Sequence, residues 1–172
     1  MRTIVVVPYD NQWPALFAAE SVMLKTLLNG AVIGLHHIGS TSVPGLAAKP
    51  IIDILLEVTD INALDTCSPA LSRTGYLARG ESGIAGRRYF TKGGDQRSHH
   101  LHAFAAGDKE VLRHLAFRDY LRENRRVADD YAELKQAAAS LCRNDSQRYS
   151  ALKTDFIEHH LRMALCAINS QP

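Results

Sequence analysis

A chain of 172 residues, 46% of them hydrophobic, lies within the usual range of one domain and carries enough apolar residues for a sizeable core. With 22% charged residues and a net charge of +2, it lacks the broad basic footprint of a protein that tracks long nucleic acid, and no apolar run approaches membrane-spanning length. Three widely spaced cysteines, Cys67, Cys142 and Cys166, suit neither a disulfide framework nor a zinc knuckle, and the leading apolar run from Ile4 to Val7 is too short for a signal-peptide core; both predict a cytoplasmic protein.

In chain order, Ile4 to Val7 predicts a short edge element closed by Pro8. Asp10, Asn11 and Pro14 then mark a helix start, and apolar residues at helical spacing carry that helix to Gly30, a natural stop. Two strands follow, about Ile33 to Ile38 and Ile51 to Val58, with a loop of small residues between them. Asp60 to Leu71 predicts a helix, and Tyr76 to Ala78, Arg87 to Lys92 and His100 to Ala105 predict further strands. Beyond about Gly107 everything reads helical, in segments Lys109 to Arg126, Val127 to Cys142 and Ser146 to Ile168. The expectation is one α/β (α+β) domain over 1–172, with a mixed sheet in 1–106 and a helical part in 107–172 packed over it.

The stretch most suited to chemistry begins at Gly39-Ser40-Thr41, directly after a strand. Glycine allows close approach of a phosphate to the backbone, and hydroxyls with neighbouring N–H groups can donate to its oxygens; as a bare tripeptide the same residues form an ordinary turn. About a dozen residues later Asp53 interrupts the apolar strand Pro50-Ile-Ile-Asp-Ile-Leu-Leu56, where a lone carboxylate is costly unless paired, hydrogen-bonded or bound to metal. Alternatives are poorly supported. The turn lacks the Gly-x-Ser-x-Gly elbow of a hydrolase, Lys49 comes too late for a P-loop, and no cysteine has a plausible base nearby in sequence.

A Gly-Ser turn followed by an Asp on an apolar strand resembles the signature of the nucleotidyltransferase superfamily. Within it, His37-Ile-Gly-Ser-Thr-Ser-Val-Pro-Gly45, Ala48-Lys-Pro-Ile-Ile-Asp-Ile-Leu55, His100-Leu-His102 and Phe117-Arg-Asp-Tyr-Leu-Arg122 resemble the GrpB family, and the likeness runs from Val7-Pro-Tyr-Asp10 to the last helix. The resemblance implies a nucleotidyltransferase-like sheet, a nucleoside triphosphate as candidate substrate, and divalent metal held by strand carboxylates. Superfamily members carry two such acids at alternate positions. Here Asp53 has Leu55 as its alternate, and Glu57, though on the same face, lies about 13 Å away at roughly 3.3 Å per residue, too far to grip the same ion.

His100 and His102 share a strand face and are candidates to complete a metal site with Asp53, to donate protons, or to hydrogen-bond phosphate. Two imidazoles with one carboxylate suit a transition metal better than Mg²⁺. His99 should face away, and of His36 and His37 the latter, beside the turn, is the better candidate to point inward, with a packed or surface position the first reading for each. Charge on a polyphosphate needs neutralising, and Lys49, one of Arg87 and Arg88 (Arg88 preferred), Arg118, Lys135 and Lys153 are the candidates. Lys135 and Lys153 each follow a tyrosine, Tyr131 and Tyr149, by one helical turn, so they either snorkel to water or emerge under a helical lid.

The expected function is binding of a nucleotide or other phosphorylated small molecule, with Asp53, His100 and His102 as catalytic or metal residues and a small-molecule acceptor for a nucleotidyl group. Metal-dependent phosphohydrolysis would use the same residues with water as acceptor. The other class is a catalytically degenerate accessory module that binds a nucleotide or a partner protein, which Leu55 favours, and GrpB-like domains fused to a dephospho-coenzyme A kinase fit that class too. Neither a long nucleic acid nor a membrane is an expected partner.

Overall fold

The computed structural model describes residues 3–170. Helix α1 (Trp13–Leu28) opens with Pro14 in its first turn and leads, through Gly30 at φ +78°, into strand β1 (Val32–Ile38). A short 3₁₀ turn, Ser40–Ser42, connects towards β2 (Ile52–Val58). Two short helices, α2 (Ile61–Thr66) and α3 (Ser68–Arg73), stand where one helix was expected, because Pro69 starts a new first turn. Strands β3 (Tyr76–Ala78), β4 (Arg88–Lys92) and β5 (His99–Ala105) complete a five-stranded sheet of order β1-β2-β5-β4-β3. Only β2 and β5 run parallel; the other pairs are antiparallel, so the sheet is mixed as expected. The segment before α1 contributes one bridge, Val7 to Ala48, rather than a strand.

The helical part comprises α4 (Lys109–Glu123), α5 (Arg125–Leu141), α6 (Ser146–Ala151) and α7 (Thr154–Asn169). Side chains of Asp108 and Asp145 cap α4 and α6 by accepting from the amides of Glu110 and of Gln147 and Arg148, worth about 1 kcal/mol each. The single helix expected from Ser146 breaks at Leu152 and Lys153, which separates α6 from α7. Among the described residues, no helix is long and apolar enough to cross a membrane.

Alternation along the strands gives the sheet two unlike faces. One carries Ile52, Ile54, Leu56, Leu101 and Ala103, and packs on Trp13, Leu24 and Leu28 of α1 and on Leu64 and Leu71 of α2 and α3. The other carries Asp53, Leu55, His100, His102 and Phe104, and its apolar part packs on Val111 of α4. Asp53, His100 and His102 thus share the face turned toward the C-terminal helices.

Candidate functional site

Parallel pairing of β2 with β5 sets Asp53 beside His100 and Leu55 beside His102. Asp53 Oδ1 lies 3.0 Å from His100 Nδ1 and 3.4 Å from His102 Nε2. An ionised carboxylate only accepts, so both imidazoles donate to it. Burial pushes the Asp53 carboxyl up, but hydrogen bonds from His100 and His102 and their electrostatic pull outweigh it and hold the group well below the usual carboxylate range. One ligand atom from each of the three residues lies within 4.8 Å of the others.

That spacing fits a borderline transition-metal ion, whose tetrahedral ligands at about 2.0–2.1 Å stand roughly 3.3 Å apart. One contact competes with it. Arg87 is buried, donates Nε to the Glu81 carbonyl at 3.0 Å and Nη2 to the Ser82 carbonyl at 2.6 Å, and places Nη1 3.3 Å from His102 Nδ1. A guanidinium has no acceptor, so His102 Nδ1 accepts and the ring proton sits on Nε2, facing Asp53. Burial, and to a lesser degree His114 and His100, hold His102 below its ordinary pKa against the pull of Asp53, which favours this neutral form. Ligation through Nε2 would require His102 to give up the Arg87 contact. No such lock acts on Asp53 or His100.

Gly39 sits at φ +69°, and a Cβ there would come within 2.6 Å of Asp53 Oδ2, so only glycine lets the turn lie against the carboxylate. The turn spends part of its polarity on itself. Thr41 Oγ1 lies 2.9 Å from His37 Nε2 and donates to the Ile51 carbonyl at 3.4 Å, while Ser42 Oγ donates to the Gly39 carbonyl at 2.5 Å. Arg122 holds the turn from α4 through two bonds to the Ser42 carbonyl, 3.0 and 2.8 Å.

Above this centre lies a cavity of about 350 Å³ between the sheet and the helices. Ser40, Asp53, His100 and His102 line it together with Lys49, Lys135 and Lys153. The ammonium groups of Lys49 and Lys153 stand 4.6 and 4.2 Å from the centre of the Tyr149 ring, and that of Lys135 stands 4.7 Å from the Tyr131 ring and donates to the Ala47 carbonyl. Burial, reinforced by Lys153, lowers Lys135 to about 7; burial and the neighbouring Lys49 lower Lys153 to about 8, although Asp53 pulls it up. Both lysines line the cavity, Lys135 fully buried. A second cavity of about 350 Å³ shares Gly39, Asp53 and His102 and extends the other way, between α4 and α7.

Two expected phosphate contacts need correction, those of Arg88 and Arg118, while His37 takes the packed position. Arg88 pairs in register with Ala103, which puts it on the opposite sheet face, where it binds Asp65 at 2.7 and 3.0 Å; Arg87, one residue earlier, is the arginine at the site. His37 points away as well, stacked on Phe17 with ring centres 4.9 Å apart, and burial is the main cause that lowers it to about 4. Arg118 reaches the second cavity instead of the lysine-walled one, with Nη1 donating to the His37 carbonyl at 3.2 Å and Nε to Asp119 at 2.7 Å. His99 faces away from the site as expected, 3.9 Å from Glu20 on the α1 side. Glu57 is occupied by His36 at 2.7 Å.

Comparison with known proteins gives a consistent picture. The family model described as GrpB protein matches residues 3–163. The UPF0157 protein YqkA of Bacillus subtilis is 42% identical over 157 residues, which covers 91% of this chain and 46% of that protein, so the chain spans about half of it. A crystal structure of the conserved protein GrpB from Enterococcus faecalis superposes with a TM-score of 0.91 at 41% identity, covering 95% of this chain and 99% of that one. A dephospho-CoA kinase of Mycolicibacterium paratuberculosis is 27% identical over 184 residues, 92% of this chain and 45% of that protein. At the level of fold alone, a mutant of the Cid1 poly(U) polymerase bound to MgATP superposes with a TM-score of 0.50 at 13% identity, over 76% of this chain and 45% of that one.

Proposed function

The chain belongs to the GrpB family and has a nucleotidyltransferase-like fold, and on that premise we propose that its lysine-walled cavity binds the phosphates of a nucleotide. One observation carries the reading: three lysines converge on a cavity whose only carboxylate among the lining residues is Asp53. Burial and a neighbouring lysine lower the proton affinity of Lys135 and Lys153, and a bound triphosphate would offset both by pairing with their charged ammonium groups. Ser40 and the turn amides approach the same anion from the sheet side, where Gly39 removes the steric barrier.

Asp53 and His100, joined by His102 if it leaves Arg87, would hold a divalent cation. Such an ion, when bound, supplies Lewis-acid stabilisation of charge on phosphoryl oxygens. This chain's own groups do the rest: Lys135 and Lys153 neutralise the polyphosphate, Tyr131 and Tyr149 wall the cavity, and His102 offers a proton donor at Nε2 beside Asp53. The reaction that suits this set is transfer of a nucleotidyl group to a small acceptor.

A second reading, a nucleotide-binding accessory module without turnover, is favoured by Leu55. It is fully buried among Ile38, Phe104 and Val111, so the position of a second metal-binding acid is part of the core. The likeness to part of a dephospho-CoA kinase supports this reading too. To separate them, nucleoside triphosphates are incubated with the protein and Mg²⁺, Mn²⁺ or Zn²⁺, with binding followed by calorimetry and pyrophosphate release by ³¹P NMR. Binding lost in Lys135→Met together with release lost in Asp53→Asn supports the transferase. Binding with no release under any metal supports the module, and no binding at all contradicts both.

A further inference from the structure

The second cavity meets the first at Gly39, Asp53 and His102, but its chemistry is opposite. Phe117 and Leu121 of α4 and Ile157 and Leu161 of α7 make it largely apolar. Its two arginines are already answered by carboxylates: Arg113 lies 3.4 Å from both Glu110 and Glu158, and Arg118 binds Asp119 at 2.7 Å. A polyphosphate gains little there, whereas a mostly apolar, uncharged or cationic small molecule loses little water and meets no repulsion.

Two imidazoles border this cavity, with ring centres 5.7 Å apart. His102 presents Nε2–H because Arg87 occupies its Nδ1. His114 is fixed the opposite way: its Nδ1 lies 2.7 Å from the Glu110 carbonyl oxygen, which can only accept, so Nδ1 carries the proton and the neutral ring keeps a lone pair on Nε2. His102 thus offers a donor already turned to Asp53, and His114 a base lining the same cavity, each set by a partner that cannot reverse its role.

We infer that this cavity is the acceptor site, that it takes an apolar small molecule bearing a hydroxyl or amine, and that His114 Nε2 receives the proton of that group. The inference rests on the nucleotidyl-transfer reading. In the step, the acceptor's O–H or N–H proton passes to His114 and its electron pair forms a bond to the α-phosphorus. The bond from that phosphorus to the α,β-bridging oxygen breaks, and pyrophosphate leaves with the electron pair.

The test uses two probes on the full chain followed by NMR, inorganic pyrophosphate and 2-phenylethanol, with phenylacetate as the anionic counterpart of the latter. Phenylethanol should shift the methyl signals of Ile157 and Leu161 and the ¹⁵Nε2 signal of His114, without being displaced by pyrophosphate, and should bind at least tenfold better than phenylacetate. Pyrophosphate should shift Lys153 and Ser40. Ile157→Trp should abolish the phenylethanol response and leave that of pyrophosphate unchanged. Pyrophosphate seated at the lysines with no phenylethanol response, a proton found on His114 Nε2, or competition between the probes would overturn the acceptor site alone. Phenylethanol seated as described with pyrophosphate bound nowhere would overturn the phosphate reading and with it the transfer role.

Discussion

The carboxylate of Asp53 occupies the space that a side chain on Gly39 would need, since a Cβ there would stand only 2.6 Å from Oδ2. The two residues come from different strand ends, yet each constrains the other. Gly39→Ala should therefore cost about 1–3 kcal/mol, through backbone strain at φ +69° together with displacement of the carboxylate. The control is Gly39→Ala in an Asp53→Ala background, where the backbone strain stays but the clash with the carboxylate oxygen is removed. Chemical denaturation in both backgrounds checks this; equal losses would show that Asp53 does not press on the turn.

Lowered lysines give the lysine-walled cavity a signed pH dependence. Lys135 falls to about 7 and Lys153 to about 8 from an ordinary 10.5, so above those values the folded protein holds fewer protons than the unfolded chain. Stability should accordingly rise with pH between about 7 and 10.5, as far as these two groups are concerned. A bound triphosphate favours charged lysines and raises both values, so binding near pH 8 should take up protons and weaken as pH rises further. Calorimetry in buffers of differing ionisation heat, corrected for the ligand's own titration, measures the uptake; proton release would contradict it.

The same lysines separate stability from binding. Lys135→Met removes a buried ammonium that has no carboxylate partner, so stability should stay within about 1 kcal/mol of the parent or rise. Triphosphate affinity should fall at least tenfold, about 1.4 kcal/mol. Thermal denaturation and calorimetry on one sample decide; a large stability loss with unchanged affinity would make Lys135 structural.

Arg87 sets the tautomer of His102, and removing it should change metal affinity. In Arg87→Met the His102 proton is free to move to Nδ1, and Zn²⁺ affinity should rise about tenfold, with His102→Ala in the same background cancelling the gain. Competition with a chromophoric chelator measures it. An unchanged affinity would show that Asp53 and His100 hold the ion without His102.

Leu55 is wholly buried against Ile38 and Phe104, so Leu55→Asp should cost at least about 3 kcal/mol by stranding a carboxylate in the core. A stable, folded variant that binds two metal ions would show instead that the missing acid is readily restored.

Much of this was legible in the sequence because strand alternation is strict. The common face of His100 and His102 was legible from strand alternation, whereas their sharing it with Asp53 depends on the β2–β5 register, which only the fold fixes. Lys135 and Lys153 were legible through their one-turn spacing from Tyr131 and Tyr149, but only the fold decides between water and cavity. Arg87 and Arg88 were not separable, since parity at a strand's first residue depends on register with β5. His37 packs on the α1 face because its neighbour Ile38 is the residue aligned with Asp53. The second cavity was invisible because Phe117, Leu121, Ile157 and Leu161 read as ordinary core, and nothing in sequence spacing says that α4 and α7 leave a gap.

The central claim is that phosphates seat between the Gly39–Thr41 turn and the lysine wall. A crystal structure with a non-hydrolysable nucleoside triphosphate and Mn²⁺ tests it most directly. The account expects phosphate oxygens within hydrogen-bond distance of Ser40, Lys135 and Lys153, with the manganese anomalous peak at Asp53. Phosphates lodged in the apolar cavity between α4 and α7, or a nucleotide bound away from Asp53 altogether, would contradict it.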